Sequence, residues 1–146
     1  MKKIKKLPAP IGRYELLYDF CEVVLGTFEK SGGKFSVTKY TPVKKSTGVI
    51  YFIKLTFSDG SILYKLGYTS RTVYHRIETL GLPNYTKVRV LASLPFTSVQ
   101  TAFNVEQLLH TVCEPYRYKG KNLLGNGNTE LYTENLLELF KKGKLV

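Results

Sequence analysis

Gly48-Val49-Ile50-Tyr51-Phe52-Ile53-Lys54-Leu55-Thr56-Phe57-Ser58-Asp59-Gly60-Ser61-Ile62-Leu63-Tyr64-Lys65-Leu66-Gly67 is the stretch that decides the fold. Val49 to Phe57 is rich in β-branched and aromatic residues, Asp59-Gly60 is a turn signal, and Ile62 to Gly67 runs back. The stretch predicts an antiparallel hairpin. Side chains alternate along each strand, so loop length decides which residues share a face. A two-residue loop, Asp59-Gly60, sets Lys54 opposite Lys65 and sends Tyr51 to the other face. A three-residue loop, Ser58-Asp59-Gly60, pairs Phe57 with Ser61 and Ile53 with Lys65. Tyr51 and Lys65 then become diagonal neighbours on one face, about 7 Å apart at the backbone. That loop needs its third residue in the left-handed region, which Gly60 supplies. The expectation is the three-residue loop, with Tyr51 and Lys65 converging.

Further along, Thr69-Ser70 can cap a helix from Arg71 to Leu80, with Val73, Ile77 and Leu80 on one face and Gly81 closing it. Val88, Val90, Ala92 and Leu94 alternate as a third strand that Pro95 stops. Thr97 or Ser98 can cap a long helix reaching Cys113, and a short extended piece, Glu130-Leu131-Tyr132, leads into a last helix capped by Thr133. The order β-β-α-β-α-α gives an α+β fold, a three-stranded antiparallel sheet flanked by helices. Before it lies an N-terminal helix-strand extension. Met1 to Gly12 reads as a basic arm. Arg13 to Lys30 reads as an amphipathic helix through Leu16, Phe20, Val23, Val24 and Thr27, and Lys34 to Tyr40 as a strand. The division is residues 1–47 for the extension and 48–146 for the main domain.

Twenty-two Lys and Arg stand against 11 Asp and Glu, a net charge of +11. Such an excess points to a polyanionic partner, nucleic acid before an anionic membrane surface. Cys21 and Cys113 are expected as reduced, buried thiols. No zinc-ligand spacing, signal-peptide core or membrane-spanning window is present, so a soluble, cytoplasmic protein is expected.

Two features carry chemistry. Glu106 falls in the middle of an apolar stripe made by Val99, Ala102, Phe103, Leu109 and Cys113. A carboxylate there is costly unless it binds a metal, a neighbouring Lys or Arg pairs with it, or the stripe shifts to expose it, and the pattern leaves these readings open. Tyr51, Lys65, Arg76 and Glu106 together form a set suited to phosphodiester hydrolysis: a hydroxyl, two cations for phosphoryl oxygens and a carboxylate for a divalent ion.

Gly48-Val49-Ile50-Tyr51-Phe52-Ile53 resembles the first motif of the GIY-YIG nuclease superfamily, and Tyr64-Lys65-Leu66-Gly67-Tyr68-Thr69 its second. Arg76 and the helix Glu106-Gln107-Leu108-Leu109-His110 follow in order. Thr129-Glu130-Leu131-Tyr132 resembles the acidic-aromatic tail of the phage and bacterial branch that has a Lys-Ile-Gly-like second motif. Lys65 stands where the second motif commonly has tyrosine, and one extra residue separates Gly48 from Tyr51. The resemblance implies a metal-dependent endonuclease cutting DNA, double-stranded DNA first, in a bacterial or phage-infected cell. A homodimer would bring two sites to two strands. Tyr51 would activate water, directly or as a phenolate favoured by Lys65; Lys65 would orient water or contact phosphate; Arg76 would neutralise phosphoryl charge; and Glu106 would hold one Mg²⁺ or Mn²⁺. His110, one turn beyond Glu106, can share the pocket; His75 is a weaker candidate. Lys2, Lys3, Lys5, Lys6, Lys44, Lys45 and Arg71 are expected to contact phosphate, and Tyr68, with Tyr74 and Tyr116, to stack on bases or line the groove.

Overall fold

The structure is a computed structural model, described here for residues 11–30, 48–125 and 130–145. The expected strand Lys34 to Tyr40, the Lys2, Lys3, Lys5, Lys6, Lys44 and Lys45 contacts, and Thr129 of the tail motif lie outside the described residues. In chain order the elements are β1 (Ile11–Gly12), α1 (Tyr14–Lys30), β2 (Gly48–Thr56), β3 (Ile62–Thr69), α2 (Val73–Glu78), β4 (Lys87–Phe96), α3 (Val99–Cys113), a 3₁₀ turn (Glu114–Tyr116), β5 (Leu131–Tyr132) and α4 (Leu136–Lys141).

The strands form one antiparallel sheet in the order β1-β4-β2-β3-β5. The class is α+β as expected, but the sheet has five strands rather than three. The two additions are two-residue edge strands, Ile11–Gly12 on β4 and Leu131–Tyr132 on β3. Strands so short leave no periodic trace in sequence; Glu130-Leu131-Tyr132 was expected to be extended, and pairing with β3 makes Leu131–Tyr132 part of the sheet. Among the described residues no helix is long and apolar enough to cross a membrane.

The hairpin has the expected geometry. Ile53 faces Lys65, Phe57 N–H donates to the Ser61 carbonyl and Gly60 N–H to the Phe57 carbonyl, and Gly60 has φ of +86°. β2 is buried on both faces, as a central strand between two covered layers must be. On one face Ile50, Phe52, Leu66, Ala92 and Leu94 join α1, α3 and α4 in a first core. On the other, Tyr51, Ile53, Leu55 and Leu63 join Val73 and Leu80 in a second.

Several local expectations shift. Leu91 is a bulge: Phe52 faces Ala92 but Ile53 faces Val90. Val88 and Val90 therefore pack on the second core and Ala92 and Leu94 on the first, so the simple alternation does not mark one face. Pro95 does not stop β4. It pairs with Val49 beyond Ser93, the last residue opposite β1, where no described strand on that side needs its missing N–H. β3 continues to Thr69, so α2 starts later and takes Thr72 as its cap, accepting from His75 N–H. α4 is capped by Asn135, not Thr133, whose N–H and hydroxyl both reach the Tyr116 carbonyl. In α1 the buried face is Leu17, Phe20, Cys21, Val24 and Leu25, while Val23 is exposed. Paired apolar neighbours (Leu16-Leu17, Val23-Val24) make two stripes available, and packing on α3 and β4 selects one. Cys21 and Cys113 are free and buried, and burial pushes both thiols up to about 12.

Candidate active site

β5 covers only Tyr64 and Lys65 of β3. Past Lys65 that edge of β3 lacks a described strand, and there side chains from the hairpin, α2, α3 and the approach to β5 meet.

α3 supplies Glu106 and His110. Ser98 caps the helix by accepting from Thr101 N–H, and Ala102, Val105, Glu106, Leu109, His110 and Cys113 form the buried face. Val99, expected on that face, is exposed, and Phe103 is half-buried with its ring edge-to-face on Tyr68 at 5.1 Å. The stripe is thus centred on Glu106 more closely than the apolar residues alone indicated. Glu106 is fully buried. Its Oε1 meets His110 Nε2 and accepts from Gln107 Nε2 at 3.1 Å, while its Oε2 has no hydrogen-bond partner. Burial holds the Glu106 carboxyl above the usual carboxylate range, against the pull of His110.

His110 is held from its other side by Tyr132, whose hydroxyl contacts Nδ1 and whose ring stacks on the imidazole. A carboxylate only accepts, so in the neutral imidazole Nε2 carries the proton toward Glu106. Nδ1 is then the acceptor and the Tyr132 hydroxyl the donor. Arg117 lies over the Tyr132 ring, 5.8 Å from its centroid.

The hairpin supplies Tyr51 and Lys65, both fully buried. Lys65 Nζ is ion-paired with Glu130 and stands 5.7 Å from the Tyr51 ring centroid. Burial lowers the Lys65 ammonium from its ordinary range, with Glu130 opposing. Tyr51 lies opposite Gly67, where a Cβ would stand 2.5 Å from Tyr51 Oη and 3.2 Å from a Glu130 oxygen. Glycine is therefore required for the close approach. Tyr51 Oη is buried with no well-aligned hydrogen bond. Burial and the Glu130 carboxylate push its phenol upward, and the nearby Arg76 guanidinium offsets only part. Tyr51 is thus a neutral phenol here, which runs against a phenolate favoured by Lys65: the charge of Lys65 is taken by Glu130.

Arg76 projects from α2, half-buried, with Nη1 donating to Thr79 Oγ1 at 3.1 Å. The structure brings Tyr51, Lys65, Arg76, Glu106 and His110 together. His75 and Arg71 are exposed and outside the cluster, and Tyr68 packs on Phe103 rather than entering it. Tyr74 is exposed and Tyr116 half-buried. Glu130 and Tyr132 were not among the expected site residues, although the string Thr129-Glu130-Leu131-Tyr132 was conspicuous.

The residues fit a divalent cation. Glu106, His110 and Glu130 each offer a ligand atom, all within 4.8 Å of one another, and Glu106 Oε2 is a buried acceptor with no hydrogen-bond partner. Oxygen donors suit Mg²⁺ or Mn²⁺.

The T5orf172 domain family matches residues 48–141. The chain belongs to this family. The match corrects the GIY-YIG assignment, because T5orf172 is a different family with a nuclease-like fold, and no GIY-YIG family matches. The glycines that carried the resemblance have local causes. At Gly48 a Cβ would stand 2.7 Å from Val99 Cα, and at Gly67 it would meet Tyr51. Short strings of glycine, aromatic and β-branched residues are what a packed central hairpin uses. Searches of characterised proteins and of solved structures return no match. The T5orf172 family is associated with nuclease-like and DNA-binding proteins, consistent with a nucleic-acid-related function.

Proposed function

We propose that this T5orf172 domain is a Mg²⁺- or Mn²⁺-dependent endonuclease that hydrolyses DNA phosphodiester bonds with one metal ion. The observation that carries this reading is the unpartnered, buried Oε2 of Glu106 beside Glu130, Lys65, Tyr51 and Arg76. A hydrophobic interior does not keep a carboxylate oxygen unsatisfied without a use for it.

In this reading Glu106, with Glu130 beside it, holds the ion, and the ion when bound polarises the phosphate and stabilises the leaving oxygen. His110 keeps Oε1 of Glu106 in place, which leaves Oε2 as the free donor. Arg76, the most accessible cation of the cluster, faces the phosphoryl oxygens and offsets charge that develops there. Tyr51 acts as a neutral phenol that orients the attacking water by hydrogen bonds. The +11 charge favours association with duplex DNA, made salt-sensitive by counterion release. Two copies of the chain would place one site on each strand.

Supercoiled plasmid incubated with Mg²⁺ or Mn²⁺ tests the proposal. Nicked or linear product is expected, absent in EDTA and absent for Glu106→Gln. The engaged state of Lys65 and the neutral phenol of Tyr51 favour a second reading, a DNA-binding domain without cleavage. Salt-sensitive duplex binding with intact plasmid in both metals would select it.

A further inference from the structure

Lys65 is an uncommon residue for its position. It is fully buried in the centre of a β-strand, and its Nζ is ion-paired with Glu130, whose side chain is 24% exposed. Burying an ammonium costs several kcal/mol unless it is paired. An apolar residue would fill the same space without that cost, so the charge itself needs a reason. Glu130 is also one of the three residues whose ligand atoms cluster within 4.8 Å, and Glu106 contributes to the field at Lys65. A cation and an ion-binding carboxylate thus occupy one small volume.

We propose that Lys65 is a stand-in cation, its ammonium neutralising Glu130 in the ion-free protein and yielding that carboxylate to a divalent ion when one binds. The inference rests on the metal reading of the Glu106 site. The lysine stem is flexible enough for Nζ to move while its methylenes stay in the core. The displaced ammonium has two nearby destinations. One is the face of the Tyr51 ring, 5.7 Å from Nζ to the centroid; the other is the phosphate that the site is built to receive. Lys65 so becomes a free phosphate-facing cation only in the loaded site. The device protects the fold from two crowded carboxylates when no ion is present. It also ties the availability of Lys65 to ion binding, and by linkage each affects the other equally.

The experiment is Mn²⁺ binding to the full chain without DNA, followed by electron paramagnetic resonance, for the native protein and Lys65→Met. Glu106→Gln in each background should abolish binding and so assign it to this site. Removing the competitor should tighten Mn²⁺ binding about tenfold, within the usual range of coupling between sites. Independently of that variant's folding, side-chain NMR of Lys65 in the native protein should show its Nζ signal move during Mg²⁺ titration. Equal or weaker Mn²⁺ affinity in Lys65→Met, or an Nζ signal unmoved at Mg²⁺ saturation, overturns the exchange. Metal-dependent plasmid cutting by the native chain would in that case leave the nuclease reading standing. If the native chain neither binds Mn²⁺ nor cuts, both are overturned.

Discussion

Tyr51 and Gly67 face each other directly across β2 and β3, and the hydroxyl of the tyrosine fills the space where a side chain at 67 would begin. Gly67→Ala therefore forces the ring or the strand to move. Overpacking of this kind costs about 1–3 kcal/mol, readable as a lower urea midpoint. Displacement of Tyr51 Oη should also reduce metal-dependent cutting beyond what the lost stability explains. A Gly67→Ala protein with native stability and native cutting would show that the close approach is unimportant.

Glu106→Gln should trade activity for stability. The Glu106 carboxyl is raised by burial, so the folded state favours its protonated form. That contribution is complete below the ordinary carboxylate value of 4.5 and is lost as pH rises through the folded value. Above that value the native chain carries a buried charge that the glutamine variant lacks. Urea denaturation should find Glu106→Gln more stable by about 1 kcal/mol or more near pH 7, with the gap narrowing near pH 4. A variant less stable than the native chain at neutral pH would mean that the pair with His110 outweighs the burial cost.

Arg76→Ala should separate chemistry from folding. Arg76 donates to Thr79 at the C-terminal cap of its short helix, and its guanidinium also lies beside the Tyr51 hydroxyl. Stability should fall by about 1 kcal/mol, the cost of leaving the buried Tyr51 hydroxyl without its polar neighbour. Loss of a charge-stabilising donor should slow cutting by about 10²-fold or more, with duplex affinity little changed. Single-turnover cleavage beside a binding isotherm makes the comparison, and a loss confined to affinity would move Arg76 from the reaction to the binding surface.

The hairpin register could be read from sequence because turn chemistry and side-chain alternation are both local: Gly60 fixes the loop, and the loop fixes the meeting of Tyr51 with Lys65. Glu106 was legible for a similar reason, as a charge set in an apolar stripe. Glu130 was not, because what defines its place is an ion pair with a residue 65 positions away. Glu130-Leu131-Tyr132 was legible as an extended piece, but neither its pairing on β3 nor the contact of Tyr132 with His110, 22 positions away, was. The bulge at Leu91 escaped notice because an extra residue in β4 leaves the apolar alternation intact on paper while reversing the faces in space. Family identity was misjudged for the opposite reason: short strings around Gly48 and Gly67 looked specific, and their glycines answer to packing.

Tyr132→Phe should weaken the site without entering it. The phenol fixes the imidazole of His110, which in turn holds Glu106 Oε1, so Tyr132 is a positioning residue. Loss of such outer partners commonly lowers metal affinity or activity about 10–100-fold. Nitrogen NMR of His110 supplies a readout that simple loss of packing would not move: the Nε2–H tautomer should dominate in the native chain and give way to a mixture in Tyr132→Phe. An unchanged tautomer with unchanged Mn²⁺ affinity would reduce Tyr132 to a core residue.

The last prediction concerns α1, which precedes the family match at residues 48–141 yet shares the first core. Phe20 is almost wholly buried and stacks on Phe140 of α4 with ring centroids 4.9 Å apart. Arg13 adds an ion pair with Glu138 at 2.5 Å, but both side chains are well exposed, so that contact contributes little. The attachment of α1 is therefore apolar. Phe20→Ala should cost about 3–5 kcal/mol, the range for emptying a buried aromatic site, and Arg13→Ala under about 1 kcal/mol. α1 covers the face of the sheet that also receives α3, the helix carrying Glu106 and His110. Phe20→Ala should consequently lower the thermal midpoint of the whole domain in a single transition, measured by circular dichroism. A separate early transition, with cutting retained above it, would mean that α1 melts alone and that residues 48–141 hold the site without it.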